Sequence, residues 1–154
     1  MRRPSQTYVA GALILGPTGL AYDPETDILY VASTNDNAIF AVAHAGNRTG
    51  SSGTGAIVFQ DEHLRRPLAL VFAPNGDLLT ANGDAVNADP TQPSEIVEFT
   101  KQGKFVAQFT VDAAQGGAFG IGVAKMSRDV DRLVYVDDVT NYVTLFDREA
   151  QRGD

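Results

Sequence analysis

Short apolar runs recur along the chain, divided by clusters of Asp, Asn, Gly and Pro. A first set comprises Gly19-Leu20-Ala21-Tyr22, Ile28–Ala32 and Ala38–Val42. A second comprises Ala69–Phe72, Leu78–Ala81 and Ile96–Phe99, and a third Gly120–Val123, Leu133–Val136 and Tyr142–Asp147. The runs are short, rich in β-branched and aromatic residues, and several alternate apolar with polar, as in Ile96-Val97-Glu98-Phe99-Thr100. That period of two predicts strands, and no stretch sustains the helical period of 3.6. The turns have a mechanism: in Ala73-Pro74-Asn75-Gly76-Asp77, Pro presets φ and Gly accepts positive φ.

The order of elements repeats about every 50 residues, the spacing of a repeat architecture rather than of a sandwich. With the three runs of each set labelled a, b and c, a fourth run d follows the first two sets, at Gly55–Gln60 and Lys104–Phe109. A similar run, Gly11–Leu15, precedes the first set, and none follows the third. The predicted order is therefore d, abc, d, abc, d, abc, twelve strands in all.

The pattern Pro-x-Gly-Leu-x-Tyr-Asp-Pro, then Ile-Leu-Tyr-Val-Ala-Ser, then Asn-x-Ile-x-x-Val, carried by Pro17–Val42, resembles a blade of the NHL-type β-propellers. Pro67–Phe99 and Phe119–Asp147 carry the same pattern with longer or looser loops. The resemblance implies an all-β chain of three propeller blades, each a four-stranded antiparallel sheet. Strand d of a preceding blade falls at 8–15, blade one at 17–60, blade two at 67–111, and blade three at 117–148 without its own fourth strand. Propellers close with about four to eight blades. Three blades expose two apolar faces and one open strand edge. A ring of six is expected, completed either by a second copy of the chain packed head to tail or by sequence missing from this chain.

Composition narrows the partners. The 154 residues carry 12 basic and 19 acidic side chains, a net charge of −7, which argues against nucleic acid and anionic membranes as partners. Cys is absent, which excludes disulfides, thiolate metal sites and a cysteine nucleophile. The two histidines, His44 and His63, fall in connecting loops and do not form an imidazole-rich metal site. No apolar run reaches the ~20 residues of a membrane helix. Tyr8–Leu15 after Arg2 and Arg3 has the look of a short signal sequence, but its likeness to Gly55-Ala56-Ile57-Val58-Phe59 favours a strand. The family resemblance implies a secreted or periplasmic protein.

Chemistry is expected on the face where b–c loops from different blades converge. Those loops carry Asn35, Asn82, Asp84 and Asp137, hard oxygen donors of the kind Ca²⁺ or Mg²⁺ prefer. The same residue types also end strands by ordinary turn chemistry. The gluconolactonase-type propellers, which this chain also resembles in its blades, imply a divalent metal held by Glu, Asn and Asp, partly at an Asn-Gly or Asp-Gly opening strand a. Here those openings read Thr18-Gly19, Leu68-Ala69 and Phe119-Gly120, and none supplies a ligand. The glycine-rich stretches Gly50–Gly55 and Gly116–Gly122 lead into strands rather than helices, so neither reads as a phosphate cradle. Arg65 and Arg66 form a small basic spot before Pro67. The expectation at this level is a non-catalytic binding or scaffold propeller that takes a protein, glycan or small polar ligand at the b–c loop face. The alternative is a metal-dependent lactonase or esterase-type hydrolase.

Overall fold

The computed structural model describes residues 15–50, 55–83, 95–111, 117–127 and 130–149. The strand expected over 8–15 lies outside these residues except for Leu15, and so does Asp84. The described residues form eleven strands in three antiparallel sheets and no helix, so no helix is long and apolar enough to cross a membrane. The first sheet is β1 (Pro17–Asp23), β2 (Ile28–Ser33), β3 (Ala38–Ala43) and β4 (Ala56–Phe59), paired in chain order. The second is β5 (Pro67–Phe72), β6 (Leu78–Asn82), β7 (Ile96–Phe99) and β8 (Phe105–Phe109), again in order. The third is β9 (Ala118–Lys125), β10 (Val130–Asp137) and β11 (Tyr142–Glu149). Every run predicted as a, b, c or d within the described residues is a strand, and the fold is all-β and propeller-like.

The sheets stack face to face, with the first strand of each against the first strand of the next: β1 on β5, and β5 on β9. These are the strands that would surround a propeller axis. At Gly19 the approach is so close that a Cβ would sit 2.6 Å from the Leu68 carbonyl oxygen, so only glycine fits. Between blades one and two, Ala21, Tyr30, Ile39 and Phe59 interlock with Leu70, Leu78, Val97 and Phe99. Phe59 stacks on Phe99 at 4.5 Å, and Tyr30 meets Phe72 edge-on at 5.9 Å. Between blades two and three, Leu79, Ala81 and Ile96 pack on Tyr135, Ile121, Val123 and Leu133. The outer part of this second interface is looser, with an apolar cleft of about 390 Å³ among Phe109, Leu133 and Phe146.

On the face carrying the a–b turns, one ion pair ties blade two to blade one. Lys101 Nζ, from the turn between β7 and β8, lies 2.7 Å from Asp23 Oδ2 at the end of β1. The ammonium also sits 5.2 Å above the Phe72 ring. The Lys101 hydrogen bond, then that of the Thr26 hydroxyl and the Glu25 amide, holds the Asp23 carboxyl down at about 2. The same bond raises Lys101 above the ordinary lysine value.

Two outcomes are expected. Phe99→Ala removes a fully buried ring from the first interface and should cost about 3–5 kcal/mol in urea unfolding. For Asp23 the folded-state value is depressed, so its contribution is complete above the ordinary carboxylate value near 3.8 and disappears as pH falls through about 2. Lys101→Met returns Asp23 toward its ordinary value, so the acid-unfolding midpoint followed by circular dichroism should move to higher pH.

Candidate functional site

The b–c turns and the segments leading into β1, β5 and β9 share the opposite face. They are joined by a bond that recurs in all three blades. The amide just after the second strand donates to a carbonyl just before the first: Thr34 to Gly16 at 3.0 Å, Gly83 to Arg66 at 2.9 Å, Asp138 to Gly117 at 3.1 Å. The registers make Ser33, Asn82 and Asp137 equivalent, since they lie opposite Pro17, Pro67 and Ala118. All three are buried polar side chains at the end of a strand.

Of the four residues singled out from the sequence, the structure places three on this face. Asn82 is fully buried. Its Oδ1 accepts from the Arg65 amide at 2.8 Å, and its Nδ2 donates to the His63 carbonyl at 2.9 Å. Asp137 is also buried, and its Oδ1 accepts from the Val139 and Thr140 amides at 2.9 and 3.0 Å. Its Oδ2 accepts from the Thr140 hydroxyl at 2.5 Å. Both are engaged in holding chain. Asn35 differs: its amide donates to the Leu15 carbonyl at 2.9 Å, while its side chain is exposed beside Gly16. The fourth, Asp84, is outside the described residues.

Other polar residues on this face were not singled out. Asn37 accepts from the Arg66 amide at 2.7 Å and donates to the Leu64 carbonyl at 2.9 Å. Glu95 is completely buried; its two oxygens accept from the Val111 amide at 2.6 Å and the Gly117 amide at 3.1 Å. Asn37 and Glu95 each directly precede the third strand of a blade and clasp the segment leading to the next blade. Their equivalence was visible in the repeat, but an isolated Glu at the end of a long polar loop gives no burial signal of its own.

Thr18 stands at the axial position where the lactonase resemblance asks for a ligand. Its hydroxyl donates to the Pro67 carbonyl at 3.1 Å, and the Thr34 hydroxyl donates to the same oxygen at 2.9 Å. The equivalent positions carry Leu68 and Phe119. Among the described residues no group of three His, Cys, Asp or Glu side chains comes together to hold a metal. What the face does offer is an open cleft of about 520 Å³, lined by Thr34, Asn35, Asn37, Glu62, Arg65 and Arg66 together with Leu64. Its lining is polar, with two guanidinium-bearing residues and one carboxylate, and is suited to a polar ligand.

Comparison with known proteins gives fold relatives only. No family model and no curated protein matches the sequence. Among solved structures, the chain is similar to a luciferin-regenerating enzyme (TM-score 0.61, 12% identity, 90% of this chain and 46% of that one). It is similar to regucalcin from Agrobacterium tumefaciens, described as a calcium-binding protein (0.61, 13%, 88% and 48%). It is also similar to a gluconolactonase from Xanthomonas campestris (0.56, 20%, 80% and 35%). The chain thus spans half or less of these proteins. They correct the expectation of a non-catalytic binding scaffold: the neighbours named are two enzymes and a calcium-binding protein, and the hydrolase alternative fits them better. The physical reason is that the scaffold expectation rested on three axial positions that offer no ligand, Thr18, Leu68 and Phe119, and ligands of a propeller come from several blades.

Asn82→Ala should act on stability rather than on ligand binding. It strands the Arg65 amide and the His63 carbonyl, which should cost about 1–3 kcal/mol in chemical denaturation.

Proposed function

We propose that this chain forms three blades of a propeller hydrolase of the lactonase type, acting on a polar cyclic ester at the loop face. The observation that carries the reading is the superposition of most of the chain on a gluconolactonase and a luciferin-regenerating enzyme, with a polar cleft on the face where the b–c loops gather. Hydrolysis adds water to the ester carbonyl, and the ring C–O bond breaks to leave a hydroxy acid. Negative charge develops first on the carbonyl oxygen and then on the carboxylate. In this reading Arg65 and Arg66, which line the cleft, attract that charge, and the exposed Asn35 side chain orients the hydroxyl-bearing body of the substrate. Calcium or magnesium belongs to this proposal through the calcium-binding neighbour and the hard oxygen donors of the b–c loops. In this reading the ion's ligands come from the completed ring, not from Asn82 and Asp137, which hold chain.

The expected outcome is acid release from sugar lactones in a pH-stat, supported by Ca²⁺ or Mg²⁺ and abolished by chelator. Asn35→Ala should lower kcat/KM with little change in unfolding midpoint, because its side chain is exposed. Absence of hydrolysis with either ion, by folded protein, overturns the proposal.

A further inference from the structure

The two interfaces within the chain follow one plan, and the registers say which residues correspond. Tyr30 and Leu79 lie opposite Ala21 and Val71, so they are equivalent. Phe72 and Val123 lie opposite Leu78 and Leu133 and are equivalent in turn. Two further pairs lie on the outer strands. Phe59 and Phe109 are opposite Ile39 and Ile96, and Phe99 and Phe146 are opposite Leu78 and Leu133.

In the first interface these positions are filled by rings: Tyr30 meets Phe72 edge-on, and Phe59 stacks on Phe99. In the second, Leu79 stands for Tyr30 and Val123 for Phe72, so two rings give way to two smaller aliphatic side chains. Phe146 stacks on Tyr135 of its own sheet, at 5.8 Å. The cleft of about 390 Å³ lies at this place, walled by Leu79 and Phe109 of blade two and by Val123, Leu133 and Phe146 of blade three. An apolar cavity of this kind takes up apolar ligands. Its charge is one-sided. Glu98 occupies the position of Ala41, since the two lie opposite Leu79 and Tyr30. Asp131 stands two residues before Leu133, where blade two has Gly76 before Leu78. Both carboxylate-bearing residues line the cleft, and among the described residues lining it none is basic. Glu98 Oε1 accepts from Asn75 Nδ2 at 2.9 Å, a neutral donor that positions the carboxylate without cancelling its charge.

We propose that the cleft between blades two and three binds a small aromatic amine, with the ring against Leu79, Val123, Phe109 and Phe146 and the ammonium on Glu98 and Asp131. The ring of the ligand supplies the aromatic volume that Tyr30 and Phe72 supply in the first interface. The carboxylates select the cation: a neutral ring of the same shape loses a charge-assisted hydrogen bond, and an anionic one meets like charge. This cleft shares no lining residue with the cleft of the loop face, so the inference goes beyond the hydrolase reading and does not depend on it.

Phenethylamine is the probe, followed by isothermal titration calorimetry on the 154-residue chain at neutral pH. It should bind saturably, and about tenfold more tightly than phenethyl alcohol, while phenylpropionate should not bind. Absence of saturable amine binding by folded protein, or equal affinity for amine and alcohol, overturns the proposal. Glu98→Gln together with Asp131→Asn should bring the amine down to the affinity of the alcohol and leave the alcohol where it was. Val123→Phe places in blade three the ring that blade two carries at Phe72, and it should abolish binding of both compounds while the β-type circular dichroism is kept. Leu79→Phe fills the cleft from the other wall and gives the same readout where Val123→Phe does not fold. Amine binding that survives either filling in a folded variant overturns the proposal, since the amine then sits elsewhere. Lactone hydrolysis enters none of these readouts, so failure of either proposal is visible without the other.

Discussion

A four-stranded sheet with apolar side chains on both faces needs a neighbour on each side, and this requirement organises the whole chain. Blade two meets it fully: Leu70 and Phe99 are covered by blade one, Leu79 and Ile96 by blade three. The strongest packing follows from that position, with the stacked Phe59–Phe99 pair and the Tyr30–Phe72 contact on one side and Tyr135 under its Val111 hydrogen bond on the other. Blades one and three each pack one face on blade two. Among the described residues Leu20, Ile57, Val143 and Leu145 are exposed on the other faces, while Val31 and Phe40 are buried in a cluster of blade one's own.

Polar chemistry then fixes what apolar packing leaves loose. Hydrophobic contact does not specify the angle between neighbouring sheets, whereas hydrogen bonds between loops do. Asn37 and Glu95 grip the segments that lead into β5 and β9 through backbone amides, and Asn82 grips His63 and Arg65 from the other side. The Asp23–Lys101 pair does the corresponding work at the opposite end of the first interface. A buried amide or carboxylate with all these partners is a framing element, and removing it exposes unmet backbone groups rather than a ligand site.

This explains what the sequence disclosed and what it hid. Strand positions were legible because β-branched residues, aromatic residues and turn residues such as Pro74-Asn75-Gly76 act locally, and the repeat reinforced each assignment. The separation of the two faces was legible in principle from the period of two. The roles of Asn82, Asp137 and Glu95 were not, because Asn and Asp serve turns, clasps and cations with the same atoms. Only the observed partners, such as the Thr140 hydroxyl on Asp137 or the Gly117 amide on Glu95, tell these uses apart. Asn35 has the same residue type as Asn82 but an exposed side chain, a difference set by position within the blade, since Asn82 ends β6 as Ser33 ends β2 and Asn35 lies beyond that point.

The axial positions bear on chemistry in the same way. Thr18 and Thr34 converge on a single carbonyl, that of Pro67, so the inner rim of blades one and two is engaged in holding two strands together. Leu68 and Phe119 continue that rim with apolar groups. Asn35, Arg65 and Arg66 instead line the cleft of the loop face, where Arg66 is held at a φ of 52° with its amide bonded to Asn37. A non-glycine residue in that conformation persists only when its surroundings impose it. The clasp from Asn37 therefore stabilises the blade junction and also fixes the backbone of Arg66, one of the residues lining the cleft.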